Sequence, residues 1–203
     1  MNIDKGLRYL SSVDVKMNRL ITSFSKPTFT VQENYFSSLV RYIIYQQLSG
    51  KSAFAIFNRY KMLFDRDEYN QPQIVIDKPD LDLMSVGLSR QKVSYIKNVG
   101  HFFINELTCE DLSKLSDDEI KDCLIQIKGV GPWTINMFLM FTLKREDIMP
   151  FSDLGIQKGF KLYFNLNSLP SVSFMIKKSK LWSPYNTLAS IYLWYLVDDG
   201  FQW

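Results

Sequence analysis

The chain has 203 residues, 46% of them hydrophobic, with 24 lysines and arginines against 21 acidic side chains. That length supports one globular unit or two small lobes, the apolar content excludes disorder, and no charge-free run reaches the roughly eighteen residues of a membrane span. A net charge of +3 is too small for bulk attraction to nucleic acid, so such a partner must be held by local patches and backbone donors.

The N-terminal segment MNIDKGLRYLSS lacks the basic start and apolar run of a secretory signal, which predicts a nuclear or bacterial cytoplasmic protein that is not secreted. No repeat interrupts a succession of amphipathic helices, and the fold class read from them is all-α. Thr30 and Glu33 form a capping-box signature ahead of Phe36, Leu39, Val40, Ile43, Ile44 and Leu48, which share one helical face. A second helix is predicted after Ser49 or Gly50, with Ala53, Phe57, Tyr60 and Phe64 inward. The stretch QIVI at 73–76, bracketed by Pro72 and Pro79, reads as an extended connection. Ser89 opens a third helix through Val93, Ile96 and Phe103, and Ser116 with Glu119 repeats the capping box. Pro132 and Pro184 each suit the first turn of a helix, the latter before ASIYLWYLV. Cys109 and Cys123 stand in no metal-ligand spacing and cannot supply the four thiolates of an iron–sulfur cluster.

Two segments carry chemistry. In LIQIKGVGPWTINMFLMF, residues 124–141, Gly129-Val130-Gly131 makes a tight turn before a helix start whose unpaired N–H groups and dipole favour an anion. In REDIMPFSDLGIQKGF, Asp153 lies beside Ser152 at the start of a further helix, whose amides stabilise a carboxylate. Taken alone, each has a plainer reading, an interhelical turn and a helix cap.

In combination with RYIIYQQLSGKSAFAIFNRY, GLSRQKVSYIKNVG and LWSPYNTLASIYLWY, these segments resemble the helix-hairpin-helix DNA glycosylases of the 3-methyladenine DNA glycosylase II type, over roughly residues 36–200. The resemblance implies a two-lobed helical unit over residues 1–203, with one lobe from about 30 to 145 and another from 1–29 plus 146–203. It also implies an active-site cleft between the lobes, and it makes this chain the form of the family without the N-terminal β-rich domain of bacterial members. Asp153 matches the catalytic aspartate. Gly129, Gly131, Trp133 and Thr134 match the phosphate-binding hairpin, whose Ile125, Ile127 and Val130 carbonyls hold a sodium or potassium ion; no other cofactor is implied. Gln47, Leu48 and Ser49 match the wedge that fills the gap left by a flipped base. Arg90 and Lys92 are placed for phosphate contacts, although a solvated basic face explains them equally.

An electron-poor methylated purine stacks on aromatic faces, and the resemblance puts Trp133 and Tyr185, with Trp182 close by, in its pocket. Met137 and Leu154 stand where bacterial relatives have pocket tyrosines, a departure that bears on the range of bases. His101, the lone histidine, falls outside the motifs and is read as structural or exposed. The activity implied is base-excision repair of alkylated purines, 3-methyladenine and 7-methylguanine with hypoxanthine or ethenoadenine, by a monomer acting on duplex DNA. Bifunctional relatives have a lysine two residues after the second hairpin glycine; that position here is Trp133. Two other readings stay open on the sequence: a non-catalytic DNA-binding module, and a glycosylase for oxidised or deaminated bases.

Overall fold

The computed structural model describes residues 1–29, 34–107 and 111–198, and every regular element within them is helical. In chain order the α-helices are α1 (Ile3–Val13), α2 (Val15–Ser23), α3 (Tyr35–Tyr45), α4 (Gly50–Lys61), α5 (Pro72–Asp77), α6 (Asp80–Ser85), α7 (Arg90–Asn105), α8 (Asp117–Leu124), α9 (Pro132–Met137), α10 (Leu154–Tyr163), α11 (Val172–Ser179) and α12 (Asn186–Val197), with short 3-10 turns at Glu68–Asn70 and Leu112–Lys114. The all-α expectation therefore holds. Thr30, Glu33 and Cys109 lie outside the described residues. The observed cap of α3 is Asn34, whose side chain accepts from Ser37 N–H.

Several helix starts follow from local chemistry. Ser49 caps α4, Ser89 caps α7, and Ser116 with Glu119 closes both halves of a capping box on α8. Two expectations change. The QIVI segment is helix α5, because Pro72 occupies its first position and Val75 and Ile76 turn toward α7, where Gly100 leaves room for Ile76. Pro184 does not open the last helix; α12 starts at Asn186 after Tyr185.

The chain divides into two compact units, one of Val31–Phe138 and one of Met1–Thr30 with Leu139–Trp203. In the first, α3 supplies the core through Phe36, Leu39, Val40, Ile43 and Ile44, joined by Ala53, Phe57 and Tyr60 of α4 and Val93 and Ile96 of α7. In the second, α12 is buried all round from Asn186 to Trp194, as expected of a helix with no polar face. Gly155 and Gly159, one turn apart on α10, let α12 approach: an added Cβ would meet Trp194 at the first and the Leu193 backbone at the second. The change of unit falls at Phe138, not at residue 145. There α9 widens into a π turn, Phe138–Thr142, within an apolar run whose sequence gives no sign of the break.

Candidate functional site

In the unit of residues 31–138, the hairpin joins α8 to α9. Ile127 N–H donates to Leu124 O and Val130 N–H to Ile127 O, closing the turn. Gly129 adopts φ +108, and a Cβ there would run into the Tyr95 ring. Glycine is required at this position on both counts. Gly131 has an ordinary extended backbone and open space where a side chain would project, so its bareness leaves room for an approaching partner. Two side-chain amides pin the turn: Asn98 Nδ2 donates to Lys128 O at 3.0 Å, and Gln46 Nε2 to Gly129 O at 2.9 Å.

The same Gln46 amide donates to Thr134 Oγ1 at 2.8 Å. Thr134 is buried with its hydroxyl engaged, which removes that hydroxyl from the expected phosphate contacts. Trp133 is half-buried at the second position of α9. Met137 is wholly buried and lines no open pocket. The Ile125, Ile127 and Val130 carbonyls belong to this turn, and neutral oxygen donors of that kind suit a hard cation of low charge. Among the described residues, no group of three His, Cys, Asp or Glu side chains could hold a metal ion.

The predicted wedge is exposed. α3 ends at Tyr45, Gln47 takes a left-handed φ of 58, and Leu48 is 40% exposed, off the apolar face that its spacing suggested. A left-handed conformation disfavours a non-glycine residue by about 1–2 kcal/mol, so this loop holds Leu48 out against local strain. Ser49 serves as the cap of α4, accepting from Ser52 N–H. Arg90 is exposed and fits a phosphate contact. Lys92 does not: its ammonium donates to Ile44 O at 2.7 Å and Gln46 O at 2.8 Å, at the carbonyl end of α3, and burial lowers its pKa.

In the other unit, Asp153 caps α10. Its Oδ1 accepts from Ile156 N–H at 2.8 Å and from the Trp194 indole Nε1–H at 2.8 Å. The carboxylate is half-buried, whereas Trp194 is only 4% exposed and lies against Phe141 with ring centres 6.1 Å apart. The loop before Asp153 is stitched to α12 by Thr187, a buried polar residue in an apolar helix. Its hydroxyl donates to Arg145 O and accepts from Ile148 N–H, and its own N–H donates to Glu146 O. Asn186 Nδ2 and Ser183 Oγ both donate to Asp147. Buried loop carbonyls and amides must find partners, and α12 supplies them, fixing the position of Asp153.

Trp182 and Tyr185 belong to the core of this unit and not to an open aromatic pocket. Trp182 is wholly buried among Phe160, Tyr163 and Phe164, with Nε1–H donated to Asp14 Oδ2 at 2.9 Å. Tyr185 is buried against Tyr9 and Gly6 of α1. The sequence reading missed Trp194, although a lone indole donor in a largely apolar helix is the residue type that demands a buried acceptor. His101 is exposed.

Comparison with known proteins decides the family. Residues 40–184 match the model of the HhH-GPD superfamily base excision DNA repair proteins. The chain belongs to that superfamily. It is similar to DNA-3-methyladenine glycosylase 1 of Schizosaccharomyces pombe, 33% identical over 199 residues that cover 95% of this chain and 87% of that protein. The alkylbase DNA glycosidase-like protein mag2 of the same organism is 32% identical over 92% of this chain and 90% of its own length. Among solved structures, a Schizosaccharomyces pombe 3-methyladenine DNA glycosylase in complex with abasic DNA superposes with a TM-score of 0.85 at 30% identity, covering 98% of this chain and all of that one. The matched residues 40–184 include both the hairpin turn and Asp153.

Proposed function

We propose that this HhH-GPD protein is a monofunctional DNA glycosylase that extrudes alkylated purines from duplex DNA and hydrolyses their N-glycosidic bond, leaving an abasic site in an uncut strand. The observation that carries this reading is the Asp153 carboxylate, held by the Ile156 amide and the Trp194 indole. Breaking the bond leaves positive charge on the sugar, and a fixed carboxylate stabilises that charge as it develops. A purine alkylated at N3 or N7 is already a good leaving group, so no strong general acid is required. The cationic alkylated base departs as a neutral purine with the bonding electron pair; water then adds to the sugar carbon and gives up one proton, to Asp153 or to solvent, leaving the hydroxyl of an abasic site.

The rest of the molecule supports extrusion and grip. Leu48 stands exposed to fill the vacated stack, with Gln47 beside it to meet the widowed base. The open Gly131 and the α9 amides receive the phosphate backbone, assisted by Arg90. The half-exposed Trp133 indole offers a π face to an electron-poor base. It is not a nucleophile, so the lysine Schiff base of strand-cutting relatives has no counterpart there. The carbonyls of Ile125, Ile127 and Val130 would hold a sodium or potassium ion, which would add positive charge beneath the phosphate. The relatives named for 3-methyladenine favour that lesion class.

The test incubates the protein with duplexes carrying a single 7-methylguanine, hypoxanthine, ethenoadenine, uracil or 8-oxoguanine, with and without borohydride. Abasic sites from alkylated purines, in strands cut only after alkali, are expected. A borohydride-trapped adduct on a lysine, or activity confined to uracil or 8-oxoguanine, would refute the proposal.

A further inference from the structure

One face of α7 makes contacts that phosphate binding does not explain. Lys92, Tyr95 and Asn98 stand three residues apart, a spacing that stacks side chains along a helix. Lys92 holds the end of α3, Tyr95 packs against Gly129, and Asn98 holds Lys128 O. Gln46 completes the circuit: its carbonyl accepts from Lys92, while its amide donates to Gly129 O and Thr134 Oγ1. Leu48 follows two residues later, beyond the left-handed Gln47.

We propose that Lys92 is a positioning residue for base extrusion: with Gln46 it clamps the Leu48 loop to the end of α3 and to the hairpin turn, so that backbone grip and wedge insertion act as one unit. The ammonium meets two neutral carbonyls at the negative end of the α3 dipole, which favours a cation there. Two of its three Nζ protons are directed to protein acceptors, and in this role it neutralises no phosphate. The segment from Gln46 to Ser49 is exposed or half-buried; Ser49 is tied to α4 through its cap bond from Ser52 N–H, and on the α3 side the segment is held by the Lys92 and Gln46 bonds together with Leu48 N–H to Tyr45 O at 3.3 Å. Without Lys92, the strained Gln47 is free to relax and Leu48 loses its direction. This inference rests on Leu48 being the wedge.

The experiment uses duplexes with 2-aminopurine beside an abasic analogue, whose fluorescence reports insertion into the stack without any excision. Lys92→Met should reduce the fluorescence step and slow excision from a paired 7-methylguanine by about tenfold, the loss expected when charge-assisted hydrogen bonds are removed. For the same lesion in an unpaired bubble, where extrusion needs no wedge, the loss should stay below about threefold. In a Leu48→Ala background, Lys92→Met should add less than about twofold, because residues acting as one unit are not additive. The salt slope of duplex binding should match that of the unmodified protein; a phosphate contact would lower it by about one.

Gln46→Met, which removes only the hairpin half of the clamp, should give the same pattern. Additive losses in the Leu48→Ala background, equal losses on paired and bubble substrates, or a reduced salt slope would overturn the clamp. Loss of the fold in both Lys92→Met and Gln46→Met would assign the pair to stability alone and overturn it too. If the unmodified protein excises nothing, the glycosylase reading fails, and the fluorescence step still decides the clamp.

Discussion

Trp194→Phe tests the proposed active centre at the bond that holds its carboxylate. The substitution keeps an aromatic ring in the buried space against Phe141 and deletes the Nε1–H that Asp153 Oδ1 accepts at 2.8 Å. Hydrogen bonds to a charged group contribute about 1.5–3 kcal/mol. At about 1.4 kcal/mol per decade of rate, that is roughly ten- to a hundredfold if the bond serves the carboxylate in the transition state. The Ile156 amide remains on the same oxygen, so the lower half of that range is expected. The assay is single-turnover excision of 7-methylguanine at saturating protein, with binding to an abasic-analogue duplex and thermal melting measured alongside. Binding should be unchanged, and the stability loss should fall well short of the roughly 3–5 kcal/mol of an alanine truncation. In an Asp153→Asn background the same change should add little. A rate within about twofold of the unmodified protein, with the fold intact, would refute the positioning role, because a charge-assisted bond that matters cannot be lost so cheaply.

Gly131→Lys should weaken abasic-duplex binding while leaving the melting temperature unchanged, since the position is sterically open; tighter or equal binding would remove Gly131 from the interface. Gly129→Asp is expected to destabilise the protein instead, through its φ of +108 and the Tyr95 ring, and a variant as stable as the parent would contradict the turn geometry. Burial raises the Asp14 pKa, but hydrogen bonds from the Trp182 indole and the α2 amides outweigh it and hold the carboxyl below its ordinary value. The stability this contributes is present above about pH 4, the unfolded carboxyl value, and is lost as pH falls through the lower folded value. Asp14→Ala should therefore destabilise by about 2–4 kcal/mol at neutral pH, from a lost cap and an orphaned indole. Denaturant titrations should show that gap narrowing toward pH 3; a pH-independent gap would rule out the charge contribution.

The helices were legible wherever a cap and an apolar stripe coincided, as at Ser49, Ser89 and the Ser116–Glu119 box. QIVI misled because a run of three apolar residues fits an extended segment as well as a short helix, and only packing on α7 decides. The hairpin glycines and Asp153 were readable as a pattern, since backbone demands and a helix cap leave marks in local sequence. What local sequence does not hold is the partner across the fold. Lys92 looks like a surface charge until Ile44 and Gln46 are set against it, and Trp182 and Trp194 are alike as letters. One indole meets Asp14 in a core and the other meets Asp153. Thr187 is likewise silent in sequence, one of the few polar residues in a largely apolar helix, and its value lies in pairing the loop that holds Asp153.

The central claim is that the Asp153 charge drives excision. Asparagine keeps the side-chain size and the capping oxygen for Ile156 N–H but removes the charge. Single-turnover excision of 7-methylguanine by Asp153→Asn should fall by about a hundredfold or more, as expected for loss of an electrostatic contribution to the transition state, with affinity for an abasic-analogue duplex preserved. Excision within about threefold of the unmodified protein would contradict the account, because a loss that small is incompatible with a carboxylate that stabilises the sugar cation.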